Sequence, residues 1–412
     1  MIASVARRVG CTEGQVYTIA TGVVAAAMLL WSGISPLPSD SFSAFVASPA
    51  AITRGAKAAP PTAPTPPVVP APQLMSSLAP ASADLATAGY PLDSSSVPSS
   101  PPSGGPATFA VVGPPGAPGG IAVGPDGRVF VTTDNGDGRG RPGASHVFAF
   151  TDGGGAAGDL TLSGQPANHT EGATGVAVDR DGSIVVLDAA TDRVLRSAAD
   201  LSTVTVLATI PDLKPCLLGV AAKPCEPGVT DHAPALVAAA FGGDGSIFVT
   251  DTGQATIWRL RPGAAAPEPW YQSQDLATGD GPSGLAFDSD GSILFTAGTT
   301  LDPSNVRGGA LYRLTLGSDG AAGARTLVAS FAPDDRPGAL AVGPSGTAYV
   351  VVRKTATIVA IAHGATMPVA TGGLPMPLDA PSGLALTGDR LLIANGSTST
   401  DASHWAVLSL PV

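Results

Sequence analysis

Glu171, Asp280, Asp335 and Asp379 share one address: each stands ten residues ahead of a turn that separates two short apolar runs. The matching places in two further copies of the pattern hold Gly116 and Pro234. Four carboxylates at one level of a repeating structure would gather on a rim, focus a negative potential and raise one another's pKa. Such a rim would bind a divalent cation, calcium or zinc, or a cationic group of a partner. Asp334 and Arg336 flank Asp335 and would join it. In an acidic protein the same four residues are accounted for more simply as solvated turn carboxylates, and both readings stand at this level.

Other chemistry is sparse. His146, His169, His232, His363 and His404 fall in separate loops or at strand ends, and no GxSxG, HExxH, P-loop or dinucleotide pattern occurs. No catalytic constellation is therefore assigned. Cys216 and Cys225 lie in a Pro-rich insertion, PCLLGVAAKPC, and are expected to form a disulfide if the region is exported, while Cys11 stands apart near the start of the chain. The run DSDG at 288–291 has the look of a calcium loop, but the same turn recurs with Gly124, Gly242 or Gly343 in the place of its first Asp. It is read as a turn.

The elements that must position these residues repeat. Six segments share an apolar strand, a turn usually containing Asp-Gly, and a second apolar strand: GGIAVGPDGRVFVT, TGVAVDRDGSIVVLD, VAAAFGGDGSIFVTD, SGLAFDSDGSILFT, GALAVGPSGTAYVV and SGLALTGDRLLIA. Aligned on Asp126, Asp181, Asp244, Asp290, Ser345 and Asp389, they recur at intervals of 55, 63, 46, 55 and 44 residues. A β pattern with this period predicts propeller blades. Asp-Gly between apolar runs predicts hairpins, because both turn residues can accept positive φ. Third strands follow every unit and fourth strands the first five, whereas TFAVVG at 108–113 precedes the first unit without a partner. Ring closure solves both problems: 108–113 supplies the outer strand of the last blade and leaves no open edge there. The expected fold is an all-β, six-bladed propeller of four-stranded blades over 107–412. A seventh blade has room only in the 63-residue interval, which the cysteine insertion fills.

Ahead of the repeats the composition changes. Residues 1–15 read as a cytoplasmic segment, and 16–34, VYTIATGVVAAAMLLWSGI, carry no charge and follow Arg7 and Arg8. At about 1.5 Å per residue this run spans a bilayer core, as a signal anchor or a signal peptide. Residues 35–106 form a linker rich in Pro, Ala and Ser that has too little apolar surface to fold. The bias of basic residues to the N-terminal side places everything after Ile34 outside, either periplasmic or extracellular. Residues 1–106 hold as many basic as acidic side chains, so the net charge of −11 belongs to the repeats. That balance excludes a nucleic-acid binder held by phosphate contacts.

Some of these residues carry a resemblance. VLDAATDRVLR at 186–196 and VTDTGQATIWR at 249–259 resemble NHL repeats, and PSGLAFDSDGSILF at 282–295 is similar to the gluconolactonase and regucalcin-like propellers. Both imply six blades, with different chemistry. In the gluconolactonase-like family a divalent metal sits over the channel on a Glu, an Asn and an Asp. The resemblance of EGATG at 171–175 to that family's first motif carries over Glu171 alone, because the slot for Asn or Asp holds Gly119, Thr174, Val237, Ser283, Gly338 and Ser382 in the six units. GGIAVGPDGRVFVTTDNGDG at 119–138 resembles one segment of the quinone-dependent soluble sugar dehydrogenases, but Ala117 stands where those enzymes place a catalytic His.

The sequence thus predicts an exported, membrane-tethered propeller on a Pro-rich stalk. Its expected role is an extracellular binding or scaffold module whose partner is a protein, a glycan or a small molecule. The alternatives are a metal-dependent lactonase or esterase with Glu171 as one ligand and, behind it, a sugar dehydrogenase-like protein.

Overall fold

A computed structural model describes residues 105–113, 116–134, 143–166, 171–213, 232–277, 280–300, 308–372, 378–396 and 405–412. The expectations for the apolar run 16–34, for the linker up to residue 104 and for the Cys216–Cys225 disulfide fall outside them.

The chain begins with β1 (Ala107–Val111). Blade one follows as β2 (Ala117–Val123), β3 (Val129–Asp134), β4 (His146–Phe150) and β5 (Ala156–Thr161). Blade two is β6 (Ala173–Val178), β7 (Ile184–Asp188), β8 (Arg193–Ser197) and β9 (Val204–Thr209). Blade three is β10 (Leu236–Phe241), β11 (Ile247–Asp251), β12 (Thr256–Leu260) and β13 (Glu268–Gln272). Blade four is β14 (Pro282–Phe287), β15 (Ile293–Ala297), β16 (Gly308–Leu316) and β17 (Ala322–Pro333). Blade five is β18 (Pro337–Val342), β19 (Ala348–Val352), β20 (Thr357–Ala362) and β21 (Ala365–Ala370). Blade six is β22 (Pro381–Thr387), β23 (Arg390–Asn395) and β24 (Ala406–Pro411), and β1 joins it as the outermost strand.

The fold is a six-bladed β-propeller of four-stranded antiparallel sheets, closed as the sequence predicts. Closure pairs Thr108 with Leu408 and Ala110 with Val407, and the Val112 N–H donates to the Trp405 carbonyl at 2.9 Å. Second strands such as β7, β11, β15 and β19 are buried along their whole length, because each blade is covered by a neighbour on both sides. That is why they read as unbroken apolar runs rather than as alternating ones. The core lies between blades. Phe248 of blade three meets Phe287 of blade four edge-on at 5.5 Å, and Tyr271 faces Phe295 across the same seam at 6.0 Å.

The hairpins form at the Asp-Gly pairs, with one positive φ in each turn. Only the glycine of each Asp-Gly pair is left-handed, with φ of +80° at Gly127, +82° at Gly182, +80° at Gly245 and +81° at Gly291, whereas the preceding Asp is not. Each turn is a type I turn closed by a glycine bulge, with the Gly127 N–H donating to the Gly124 carbonyl and the Gly124 N–H to the Arg128 carbonyl. The Asp accepts the backbone N–H two residues on, as Asp126 does from Arg128 at 3.1 Å and Asp244 from Ser246 at 2.9 Å. A carboxylate in that role gains nothing from positive φ. In DSDG, Arg313 donates to both Asp288 and Asp290, so the two carboxylates already have a cation.

Small residues set the width of the channel. Gly120, Gly175, Ala238, Gly284, Ala339 and Gly383 occupy one level of the inner strands and line a cavity of about 90 Å³ on the axis. A Cβ at Gly284 would approach the Gly338 carbonyl to 2.4 Å and Leu340 Cβ to 2.9 Å. Gly284→Ala must therefore push two inner strands apart, and a loss of about 2–3 kcal/mol in urea unfolding is expected. Gly243→Ala, where a Cβ would meet nothing within 4 Å, is the matched control and should change stability little.

Candidate functional site

The first residues of the inner strands and the turns leaving the second strands share one face of the ring. All six inner strands carry a register shift there, for instance between Pro282 and Leu285 and between Pro337 and Leu340. Such bulges re-aim the side chains they contain. They also let neighbouring blades lock: the Thr250 hydroxyl donates to the Ser283 carbonyl and the Thr296 hydroxyl to the Gly338 carbonyl, both at 2.6 Å.

On this face the predicted carboxylates diverge in role. Arg336, just ahead of β18, reaches across to blade four, where its Nε and Nη2 donate to Asp280 Oδ2 at 2.9 and 2.6 Å. Arg336 does so from the left-handed region, φ +51°, with Asp334 at +68° on the other side of Asp335. Positive φ at an arginine costs about 1 kcal/mol or more, and such strain gathers at functional rims. Asp335 turns back on its own loop and accepts the Ala332 N–H at 3.0 Å. Glu171 is exposed ahead of β6, and Asp379 is half-buried ahead of β22, its backbone N–H donated to Asn395 Oδ1 at 2.8 Å. Among the described residues no three His, Cys, Asp or Glu side chains come together as a metal site requires.

A residue not anticipated from the sequence joins this face. Arg353 follows β19, its N–H donating to the Arg336 carbonyl at 3.4 Å while the Lys354 N–H donates to that of Asp335 at 3.2 Å. The guanidinium passes so near Gly338 that a Cβ there would come within 2.5 Å of Arg353 Nε, and Nη2 donates to the Ser283 hydroxyl at 3.3 Å. Arg353 is exposed to water at the mouth, with protein dense around its guanidinium on the inner side of the loop. Loss of hydration pulls its pKa below the ordinary arginine value; Asp280 opposes that shift and the like charge of Arg336 adds to it. One signal in the sequence marks it. At this register the six blades read Asp134, Ala189, Thr252, Gly298, Arg353 and Gly396, so a long cation stands alone among small or acidic residues.

The Asp residues of the NHL-like runs hold the scaffold. Asp251 is fully buried and accepts from the Ala235 N–H, the Gln254 side chain and Trp258 Nε1 at 2.8 to 3.0 Å. Asp188 in blade two is fully buried too, and takes Gln165 Nε2 at 2.8 Å and Arg193 Nη2 at 2.7 Å. Near both lies Asp192, whose pKa is raised to about 6 by burial first and then by Asp251, Asp188 and Asp212. Because its folded value exceeds its unfolded value of 3.8, native Asp192 keeps a proton that the unfolded chain has released, and stability falls as pH rises from about 4 to 6. Asn suits the left-handed φ of +56° at this position. Asp192→Asn should stabilise by about 1 kcal/mol at pH 8, discounted for the half-exposed site, and by nothing at pH 4, as paired urea titrations would read.

No protein-family model matches the chain, and no curated protein matches it. Among solved structures it is similar to the quinone-cofactor (PQQ)-bound aldose sugar dehydrogenase of Streptomyces coelicolor, at 15% identity over 76% of this chain and 99% of that one, with a TM-score of 0.50. It is also similar to a gluconolactonase of Xanthomonas campestris, at 18% identity over 76% and 96% with a TM-score of 0.47, and to virginiamycin B lyase of Staphylococcus aureus, at 17% over 74% and 87% with 0.45. At such identities the likeness shows the fold alone, a β-propeller.

Proposed function

We infer that this protein is an exported, membrane-tethered propeller that binds its ligand at the channel mouth beside blades four and five, as a binding module rather than a catalyst. The observation that carries the reading is the convergence there of Arg353, Ser283 and the Arg336–Asp280 pair above a channel of small residues. A few convergent polar groups at the end of a concave, otherwise neutral recess are the ordinary form of a small-molecule site. The strained backbone at Arg336 supports the same place. Export and tethering rest on the uncharged run 16–34 behind Arg7 and Arg8.

Thermal unfolding of the purified protein against a panel of carboxylates, neutral sugars and divalent cations tests the reading. A ligand present at a hundred times its Kd adds about 2.7 kcal/mol, a shift of several degrees in Tm. Ala339→Leu, which fills the channel beneath the mouth, should abolish that shift while the unliganded protein still folds. Turnover of a lactone or ester that needs calcium, zinc or manganese and disappears in Glu171→Ala would replace the binding module with a hydrolase.

A further inference from the structure

The mouth also indicates what kind of ligand it takes, an inference that rests on the mouth being the binding site. Its charged groups do not share their contacts evenly. Asp280 receives two N–H groups of Arg336 on one oxygen, and Asp335 is occupied with its own loop. Lys354 sends its ammonium away, to the Pro333 carbonyl at 3.2 Å. Asp334 is exposed on the same turn. Arg353 is left, among the described residues, with one long side-chain hydrogen bond and no ion pair, although its guanidinium carries five N–H donors.

The residue beside it points the same way. Ser283 is 3% exposed, and its hydroxyl oxygen accepts from Arg353, so the hydroxyl hydrogen remains to be donated. The bulge between Pro282 and Leu285 holds it in that position. Among the described residues, two sets of unused donors, one cationic and one neutral, meet at this spot. Gly338 and Gly284 keep the space clear, since a side chain at Gly338 would strike the guanidinium. A planar fork of N–H groups is matched in shape and charge by a carboxylate, which takes two parallel hydrogen bonds from it.

We propose that the channel mouth recognises a carboxylate-bearing small molecule, its carboxylate seated on the free edge of Arg353 and on the Ser283 hydroxyl, its uncharged remainder in the channel. Asp280 tunes the site. Paired with Arg336 it is held off Arg353, and it is the carboxylate best placed to compete if that pair is broken.

The test uses the full-length chain in detergent micelles with acetate, malonate and inorganic phosphate as probes, at an ionic strength balanced with sodium chloride. Calorimetry and thermal shift should show saturable binding of acetate or malonate, weakened about tenfold or more in Arg353→Gln and only partly restored by Arg353→Lys, which keeps the charge but loses the fork. Asp280→Asn should tighten the same binding several-fold and Arg336→Gln should weaken it, because each changes the competition for Arg353 in the opposite sense. Equal carboxylate binding by wild type and Arg353→Gln would overturn the proposal, as would binding of phosphate alone. A neutral sugar or a divalent cation whose binding survives Arg353→Gln but is lost in Ala339→Leu would overturn the carboxylate while leaving the mouth as the site. Probes that bind nowhere, or bind unaffected by Ala339→Leu, would overturn both.

Discussion

A chain lacking residues 105–113 is expected to lose about 4 kcal/mol or more and to associate through its last blade. Those residues form β1, which pairs with β24 from Ala107–Ser409 to Val111–Ala406 and places Ala110 and the fully buried Val112 in the core beside Trp405. Burial of the valine accounts for roughly 2 kcal/mol, and the ladder with its hydrogen bond to the Trp405 carbonyl for a comparable amount. Deletion also bares the edge of β24, a row of unpaired backbone donors and acceptors that templates pairing with another chain. Urea unfolding with light scattering reads both effects. A deletion that leaves stability and monomer state unchanged would show that the ring does not depend on its closing strand.

Asp251→Ala is expected to destabilise by about 3–5 kcal/mol, although Asp251 lies in none of the rim carboxylates. The substitution strands three donors, the N–H groups of Ala235 and Gln254 and Trp258 Nε1, and leaves Gln254 Nε2 with the Pro211 carbonyl alone. An unsatisfied buried donor costs its full desolvation, and several stranded together exceed what any one contact contributes. Asp251→Asn keeps the shape and one carbonyl oxygen, so its cost should fall well below that of alanine. Asp181→Ala, at an exposed turn whose carboxylate binds Ser183, should stay within about 1 kcal/mol and serves as the comparison. Chemical denaturation of the three variants gives the order; a near-neutral Asp251→Ala would remove the structural account of the NHL-like Asp. Activity or binding lost in that variant without loss of stability would make Asp251 a site residue instead.

The positions of the four carboxylates were legible in the sequence; a shared role was not. Ten-residue spacing from the turns put Glu171, Asp280, Asp335 and Asp379 at equivalent loops, and all four do precede inner strands. Spacing along one chain reports height in the ring. It does not report which way a side chain turns, and Asp335 and Asp280 turn differently because Arg336 adopts a left-handed backbone between two aspartate-bearing loops. Arg353 escaped notice because a single arginine outside any motif has no periodic partner. Only its placement beside Ser283 and Gly338, residues 70 and 15 positions away, gives it a role.

What the sequence determined by itself was everything that repeats: six blades, the strand order within them, the glycine turns and the closure by 108–113. Each of these depends on local pattern, where apolar runs, a turn residue and a period leave few ways to bury the surface. Tertiary structure alone decided the width of the channel, the bulges at its mouth and the partners of its charges. Those depend on how six separate strands converge on one axis, and there a missing Cβ or a crossed ion pair between blades counts for more than any spacing along the chain.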